Sequence, residues 1–233
     1  MNAVSTSYIE VKELSRQYLQ GQTVVNALSG IDLGFERGEF GALVGPSGSG
    51  KSTLLNCMGA LDKPTSGTVH IEGKDVTSLT GNELSDFRLE NIGFVFQAYN
   101  LVPVLTAYEN VEYILLLQGV SSEERQSRIQ RLADRMDMQD LMHRFPDQLS
   151  GGQQQRVAVA RALIGEPEVV LADEPTANLD THNAEKLIEL MLQMCEETQT
   201  TFLFSTHDER VIKSARRLIH LRDGKIEKDE RKG

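Results

Sequence analysis

The chain has 233 residues, with 24 Lys and Arg against 34 Asp and Glu and a formal net charge of -10. That length holds one large domain around a real core, and the acidic balance lacks the basic stripe a generic nucleic-acid binder needs, so no nucleic-acid partner is expected. Two cysteines, Cys57 and Cys195, without C-x-x-C spacing, exclude a disulfide framework or a zinc site and suit a reducing cytoplasm. Residues 1–7 show neither the basic nor the apolar region of a signal peptide. The longest apolar runs are far shorter than a membrane span, so a role at a membrane would need another chain to cross it.

Residues 8–40 alternate in strand fashion over 8–14, 24–28 and 31–35, with turns at Gln20-Gly21-Gln22 and Arg37-Gly38. Tyr18 lies in this segment. Its ring could stack on an adenine, but its place alone favours a half-buried strand tyrosine. The apolar run Phe40-Gly41-Ala42-Leu43-Val44 then leads into Gly45-Pro46-Ser47-Gly48-Ser49-Gly50-Lys51-Ser52. This is the phosphate-binding P-loop pattern, G-x-x-x-x-G-K-S, in its strand–loop–helix context. The glycines let successive N–H groups turn inward on an anion. The helix that begins at Thr53-Leu54-Leu55 adds its open N–H groups and positive end. Lys51 supplies a point charge for the outer phosphates. Ser52 supplies a hydroxyl for Mg²⁺.

Asp62-Lys63-Pro64-Thr65-Ser66-Gly67 is a turn, and 68–73 alternates as a strand with His70 on its exposed side. Thr80 opens a short helix reaching Leu89. Ile92-Gly93-Phe94-Val95-Phe96 reads as a buried strand with Gln97 at its carboxyl end, where open parallel sheets bind ligands. A glutamine amide there can ligate a metal or hold water. From Ala98 the character turns helical. Thr106 with Glu109 forms a capping-box pattern, and Ser121 with Glu124 opens a second helix, together resembling an inserted lobe.

Leu149-Ser150-Gly151-Gly152-Gln153 precedes a further helix. Ser150 is a good N-cap, and the glycines leave amides open, so this is a second helix start suited to an anion. Val169-Val170-Leu171-Ala172 runs into Asp173-Glu174. A strand ending in acids beyond a P-loop is the Walker B pattern. Asp173 would hold Mg²⁺, directly or through water, and Glu174 would polarise the attacking water. Asp180 follows in the turn into another helix. The strand 201–206 ends at His207, the same end as the P-loop, Gln97 and Glu174. The turn Asp223-Gly224 signals a hairpin, and the charged tail 228–233 is expected to fray.

These motifs together resemble the ATP-binding cassette (ABC) ATPases in order and spacing, over roughly Ile9 to Glu227. The resemblance implies an α/β fold: a P-loop NTPase core with a mostly parallel sheet, an N-terminal antiparallel β-subdomain and an inserted α-helical subdomain. It implies a single ATP-binding domain over 1–233, with 8–97 and 160–227 as core and β-subdomain and 98–159 as the helical signature subdomain. ATP and Mg²⁺ are the implied cofactors. Two copies would pair head to tail, each ATP lying on residues 45–53 of one chain and under Ser150, Gly151, Gly152 and Gln153 of the other. By motif, Lys51 and the loop amides bind phosphates, and Ser52, Gln97 and Asp173 hold Mg²⁺ or its waters. Glu174 is the catalytic carboxylate, His207 contacts the γ-phosphate, and Asp180 signals across the dimer. Tyr18 gains standing as the adenine-stacking aromatic.

The helical lobe would grip a separate transmembrane permease, placing the chain peripherally at the cytoplasmic face of the membrane. Residues 61–67, 94–101, 106–111 and 171–176 resemble the lipoprotein-releasing and macrolide-exporter group, in which many members transmit force rather than pass cargo through a channel. Ala177 stands where glycine is common, and Gly41 interrupts the strand before the P-loop. Because the sequence ends at residue 233, a separate ATPase subunit is expected. A soluble ABC ATPase acting on DNA or ribosomes would need coiled-coil heptads or a second cassette, and neither is in this sequence. A module using ATP only as dimer glue would not need both Glu174 and His207.

Overall fold

The computed structural model describes residues 7–232. Residues 1–6 and Gly233, on which the leader and tail readings partly fall, lie outside the described residues. The larger sheet is built on β3 (Phe40–Val44), which runs parallel to β8 (Thr201–Ser205) on one side and β9 (Arg217–Arg222) on the other. β7 (Val169–Asp173) continues beyond β8, and β6 (Ile92–Val95) beyond β7, both in parallel. Only β10 (Lys225–Arg231) is antiparallel, against β9 at the edge. The second sheet is antiparallel, in the order β2 (Thr23–Phe35), β1 (Ile9–Gln20), β4 (Ser66–Ile71) and β5 (Lys74–Asp75). The α/β class and the pairing of a mostly parallel sheet with an antiparallel one agree with the sequence analysis.

The central strands are apolar without alternation because both faces are covered. The two faces still divide by parity. Phe40, Ala42, Val44, Val170, Ala172, Phe202 and Phe204 join one buried cluster, which includes the helices α3 (Ala107–Leu117), α4 (Ser122–Arg135), α5 (Gly151–Leu163) and α6 (Thr181–Thr198). Leu43, Leu171, Leu203, Ile219 and Leu221 join the other, with α1 (Lys51–Met58), α2 (Gly81–Asn91) and the antiparallel sheet. Phe40 packs its ring 4.6 Å from Phe204 and 5.9 Å from Phe202, so β3 and β8 share one aromatic seam. Thr106 and Ser121 cap α3 and α4 as their sequences predict. α5 runs unbroken through residues 159 and 160, so the expected subdomain boundary falls inside one helix.

Four local expectations need correction. Segments 24–28 and 31–35 are one strand, because Gly30 takes φ +60° and its N–H donates to Ser15 Oγ at 2.9 Å within a bulged ladder. Gly41 does not interrupt β3 but pairs on both sides. His70 is half-buried rather than exposed, with Nδ1 buried and unpartnered, because β5 covers it through pairing with Asp75. The tail does not fray before Arg231, because its charges are matched. Asp229 accepts from Arg217 at 2.6 and 2.8 Å, and Arg231 meets Glu36 at 2.8 Å.

Arg217 is 5% exposed and joins three segments. It bonds Asp229, Glu39 at 3.2 Å and the Gly34 carbonyl at 2.6 Å, and its guanidinium lies 4.9 Å from the Phe35 ring centre. Arg217→Ala leaves the half-buried Glu39 carboxylate and the Gly34 carbonyl without their buried partner and is expected to lower the unfolding free energy by about 3 kcal/mol. A urea titration checks this: a midpoint shift worth less than about 1 kcal/mol would show that the tail does not depend on it.

The short helix α7 (Glu209–Ser214) starts at Asp208, whose carboxylate also accepts from Arg210 and, at 2.7 Å, from Thr176 Oγ1. Chiefly Arg210, then Thr176, holds this carboxyl at about 2, below its ordinary value. The depressed pKa gives stability that is complete above about pH 4 and lost as pH falls through 2. Asp208→Asn is therefore expected to cost roughly 2 kcal/mol at neutral pH and to flatten the acid limb of a stability-versus-pH curve. An unchanged acid limb would contradict the assignment.

Candidate active site

The carboxyl ends of β3, β6, β7 and β8 converge on a cleft of about 630 Å³. Its floor is the loop from Gly45 to Gly50. Gly45 has φ +154°, and a Cβ there would stand 2.2 Å from the Leu221 carbonyl oxygen. Gly50 has φ +104°, and its Cβ would stand 2.5 Å from the Ala27 carbonyl oxygen. Both positions therefore demand glycine on conformation and on space. Pro46, Ser47 and Gly48 line the open side with Lys51, Ser52 and Thr53, the first residues of α1. Ser49 faces inward, 2% exposed, and its carbonyl accepts from Gly224 N–H at 3.0 Å. Lys51 folds back across the loop, donating from Nζ to the carbonyls of Gly45 at 2.8 Å and Pro46 at 3.0 Å.

Opposite the loop stand the acids. Ser52 Oγ donates to Asp173 Oδ1 at 3.0 Å, joining the helix start to the end of β7. Glu174 takes φ +47°, an uncommon conformation for this residue, and its N–H donates to the Ser205 carbonyl at 2.8 Å. The kink turns its side chain into the cleft, with 14% left exposed. The Glu174 carboxylate accepts from Thr206 Oγ1 at 3.2 Å and lies 2.7 Å from His207 Nδ1. His207 itself is 77% exposed at the rim. Gln97 enters from the end of β6, and its carbonyl accepts from Asn178 Nδ2 at 3.2 Å.

The structure thus gathers the 45–53 segment, Gln97, Asp173, Glu174 and His207. It does not gather the rest. Ser150 caps α5 reciprocally with Gln153: Ser150 N–H donates to Gln153 Oε1 at 2.9 Å and Gln153 N–H to Ser150 Oγ at 3.3 Å. Gly152 lines a different cleft, with Arg156 and Leu179, and Gly151 packs beneath Tyr99. Asp180 caps α6, and the Asn183 backbone and side chain hold its carboxyl below the usual range. Tyr18 does not line the cleft; it pairs with Val25, which does. Its ring lies 4.5 Å from the Arg16 guanidinium and its hydroxyl donates to Asp62.

Several cleft residues escaped the sequence reading. Val25, Asn26 and Ala27 of β2 form one wall, signalled only by the exposed apolar pair Val24 and Val25. Thr206 is fully buried against Glu174, and only its place beside His207 hints at a role.

Comparison with known proteins fits this arrangement. The family described as ABC transporter matches residues 28–177. A macrolide export ATP-binding/permease protein MacB of Aggregatibacter actinomycetemcomitans is 45% identical over 96% of the chain, which spans 35% of that relative's length. MJ0796 of Methanocaldococcus jannaschii, an ABC transporter ATP-binding protein, is 44% identical over 96% of this chain and 97% of its own. Among solved structures, dimeric MJ0796 in a post-hydrolysis state bound to ADP and Pi aligns with TM-score 0.92 and 42% identity, over 97% of this chain and 99% of that one. The cbiO1 protein of Clostridium perfringens, part of the ABC transporter complex cbiONQ, aligns with TM-score 0.85 and 28% identity over 97% and 89%. The chain belongs to the ABC transporter family.

Proposed function

We propose that this ATPase hydrolyses ATP in a cleft that only a second copy completes, and that closure of the pair drives a membrane permease. The observation that carries this reading is a division. Phosphate-binding loop, acids and His207 share one cleft, while none of Ser150, Gly151, Gly152 and Gln153 lines it and Gly152 lines another. The Gly151 and Gly152 amides lie in the first turn of α5, where a helix offers its N–H groups no partner, so they suit a phosphate that must come from another chain. The dimeric relatives, one holding ADP and Pi, support the arrangement.

In the reaction, loop amides and Lys51 hold the phosphate chain and stabilise the charge that spreads over the γ-phosphoryl group. Glu174 polarises a water whose oxygen bonds to γ-phosphorus. The bond from that phosphorus to the bridging oxygen breaks, ADP leaves with the electron pair, and Glu174 accepts the water's proton. His207, 2.7 Å from Glu174, holds that carboxylate in place and reaches the γ-phosphate from the rim. Thr206 fixes the other carboxylate oxygen. Ser52, Gln97 and Asp173 offer a hydroxyl, an amide oxygen and a carboxylate, and Ser52 and Asp173 already touch. Such a sparse set of hard oxygens fits Mg²⁺, which keeps waters and leans on phosphate. When bound, the ion supplies charge neutralisation. Tyr18, beside Val25, is the proposed adenine neighbour, and Asp180 the residue that faces the partner's site.

The proposed permease contact is the apolar groove of about 360 Å³ lined by Leu61, Phe96, Val102, Tyr113 and Ile114. Phe96, next to Gln97 in the chain, lines it, and Tyr113, Leu116 and Leu117 of α3 are exposed. Among the described residues no helix is long and apolar enough to cross a membrane. The chain would therefore sit at the cytoplasmic face through that partner. A relative named as a macrolide export protein supports an export role, and one named as part of a transporter complex supports a permease partner.

Steady-state hydrolysis by the purified chain tests the core of this reading. Glu174→Gln is expected to lower turnover by about 100-fold or more while ATP still binds. With ATP the variant is expected to run as a dimer in light scattering. Unchanged turnover would remove Glu174 from the chemistry, and a strict monomer at high protein concentration would remove the shared site.

A further inference from the structure

Two residues beyond Gln97 the backbone does something costly. Tyr99 takes φ +60° and Asn100 φ +51°. Asparagine tolerates the left-handed region; tyrosine enters it with difficulty, because its Cβ crowds the following carbonyl. Two such residues in succession reverse the chain sharply between β6 and the loop that leads to α3. Something must hold them there.

That something is Arg161, in the last turn of α5. Its Nη1 donates to the Asn100 carbonyl at 2.6 Å and its Nη2 to the Tyr99 carbonyl at 2.9 Å. One planar fork thus grips two consecutive carbonyls, a geometry that lysine's point charge cannot reproduce. The guanidinium is half-buried and enters no ion pair among the described residues. A desolvated cation without a carboxylate is expensive, and here its donors serve the turn. Tyr99 reaches the opposite end of the same helix: its hydroxyl oxygen would stand 2.9 Å from a Cβ on Gly151. On the other flank Asn178 holds the Gln97 carbonyl at 3.2 Å.

We propose that Arg161 is a positioning residue for hydrolysis: it clamps the Tyr99 and Asn100 turn onto α5 and so sets where the Gln97 side chain stands in the cleft. Gln97 is thereby pinned to the helix that presents Ser150 and Gly151 to the partner. The inference rests on the reading of Gln97 as a ligand in that cleft.

The test uses the full chain with Arg161→Met, Arg161→Lys, Gln97→Ala and the Gln97→Ala/Arg161→Met pair. Readouts are ATP hydrolysis against ATP and Mg²⁺ concentration, binding of a fluorescent ATP analogue, and thermal melting. Arg161→Met is expected to leave analogue affinity within about twofold while turnover falls by about 10- to 100-fold, the scale of a small misplacement of a reacting group. The Mg²⁺ concentration for half-maximal rate is expected to rise. Arg161→Lys keeps the stem and the charge, so it secures folding, and it is expected to recover little of the rate. The double variant is expected to be no slower than Gln97→Ala alone. If Gln97→Ala is slow and the two losses multiply, the clamp is overturned while the Gln97 reading stands. Unchanged turnover in Arg161→Met, or affinity lost in step with melting temperature, overturns the clamp as well. If Gln97→Ala leaves turnover intact, the Gln97 reading fails first, and the clamp loses its route of action.

Discussion

The structure depends on how tightly the loop after β3 is wedged. Gly45 sits against the Leu221 carbonyl and Gly50 against the Ala27 carbonyl, with no room for a Cβ at either. Gly224 completes the wedge. Its N–H donates to the Ser49 carbonyl at 3.0 Å and its own carbonyl accepts from Ser29 N–H at 2.9 Å. One turn of the carboxyl-terminal hairpin therefore braces both the phosphate-binding loop and a strand of the antiparallel sheet. A loop held on two sides by backbone keeps its amides aimed without reorganising when an anion arrives.

The parallel sheet does the rest of the assembly. Strands 40–44, 92–95, 169–173 and 201–205 all deliver their carboxyl ends to one edge. Lys51 and Ser52, Gln97, Asp173 and Glu174, and His207 come from four separate segments, yet they meet because the strands share one direction. The hydrogen bond from Ser52 to Asp173 closes the cleft from side to side. Helix α5 has a different task. Its start is capped by its own side chains, and its far end holds the turn after Gln97. The same rigid element thus holds the turn after Gln97 at one end and offers open amides at the other.

Much of this was legible in the residues. The P-loop spacing, the apolar strand ending in two acids and the capped helices are local patterns, and local patterns survive without tertiary context. Pairing between distant segments is not a local pattern. The tail 228–231 looked solvated because its partners, Arg217 and Glu36, lie far away in sequence. β2 looked like two strands because Gly30 reads as a stop, whereas a bulge absorbs it. Tyr18 and Val25 look alike as exposed strand residues, and only the register between β1 and β2 separates the one that lines the cleft from its neighbour.

By itself the sequence determined the chemistry: a phosphate-binding loop, acids and a histidine each at a strand end, and a second helix start suited to an anion. These follow from residue type and short-range geometry, which no distant contact alters. Only the tertiary structure decided which of these groups share a cleft. It separated Ser150, Gly151, Gly152, Gln153 and Asp180 from the rest, exposed Arg161 as the anchor of the turn after Gln97, and enclosed Thr206 against Glu174. Those outcomes depend on strand order and on the docking of α5, and both are set by burial between segments far apart in the chain.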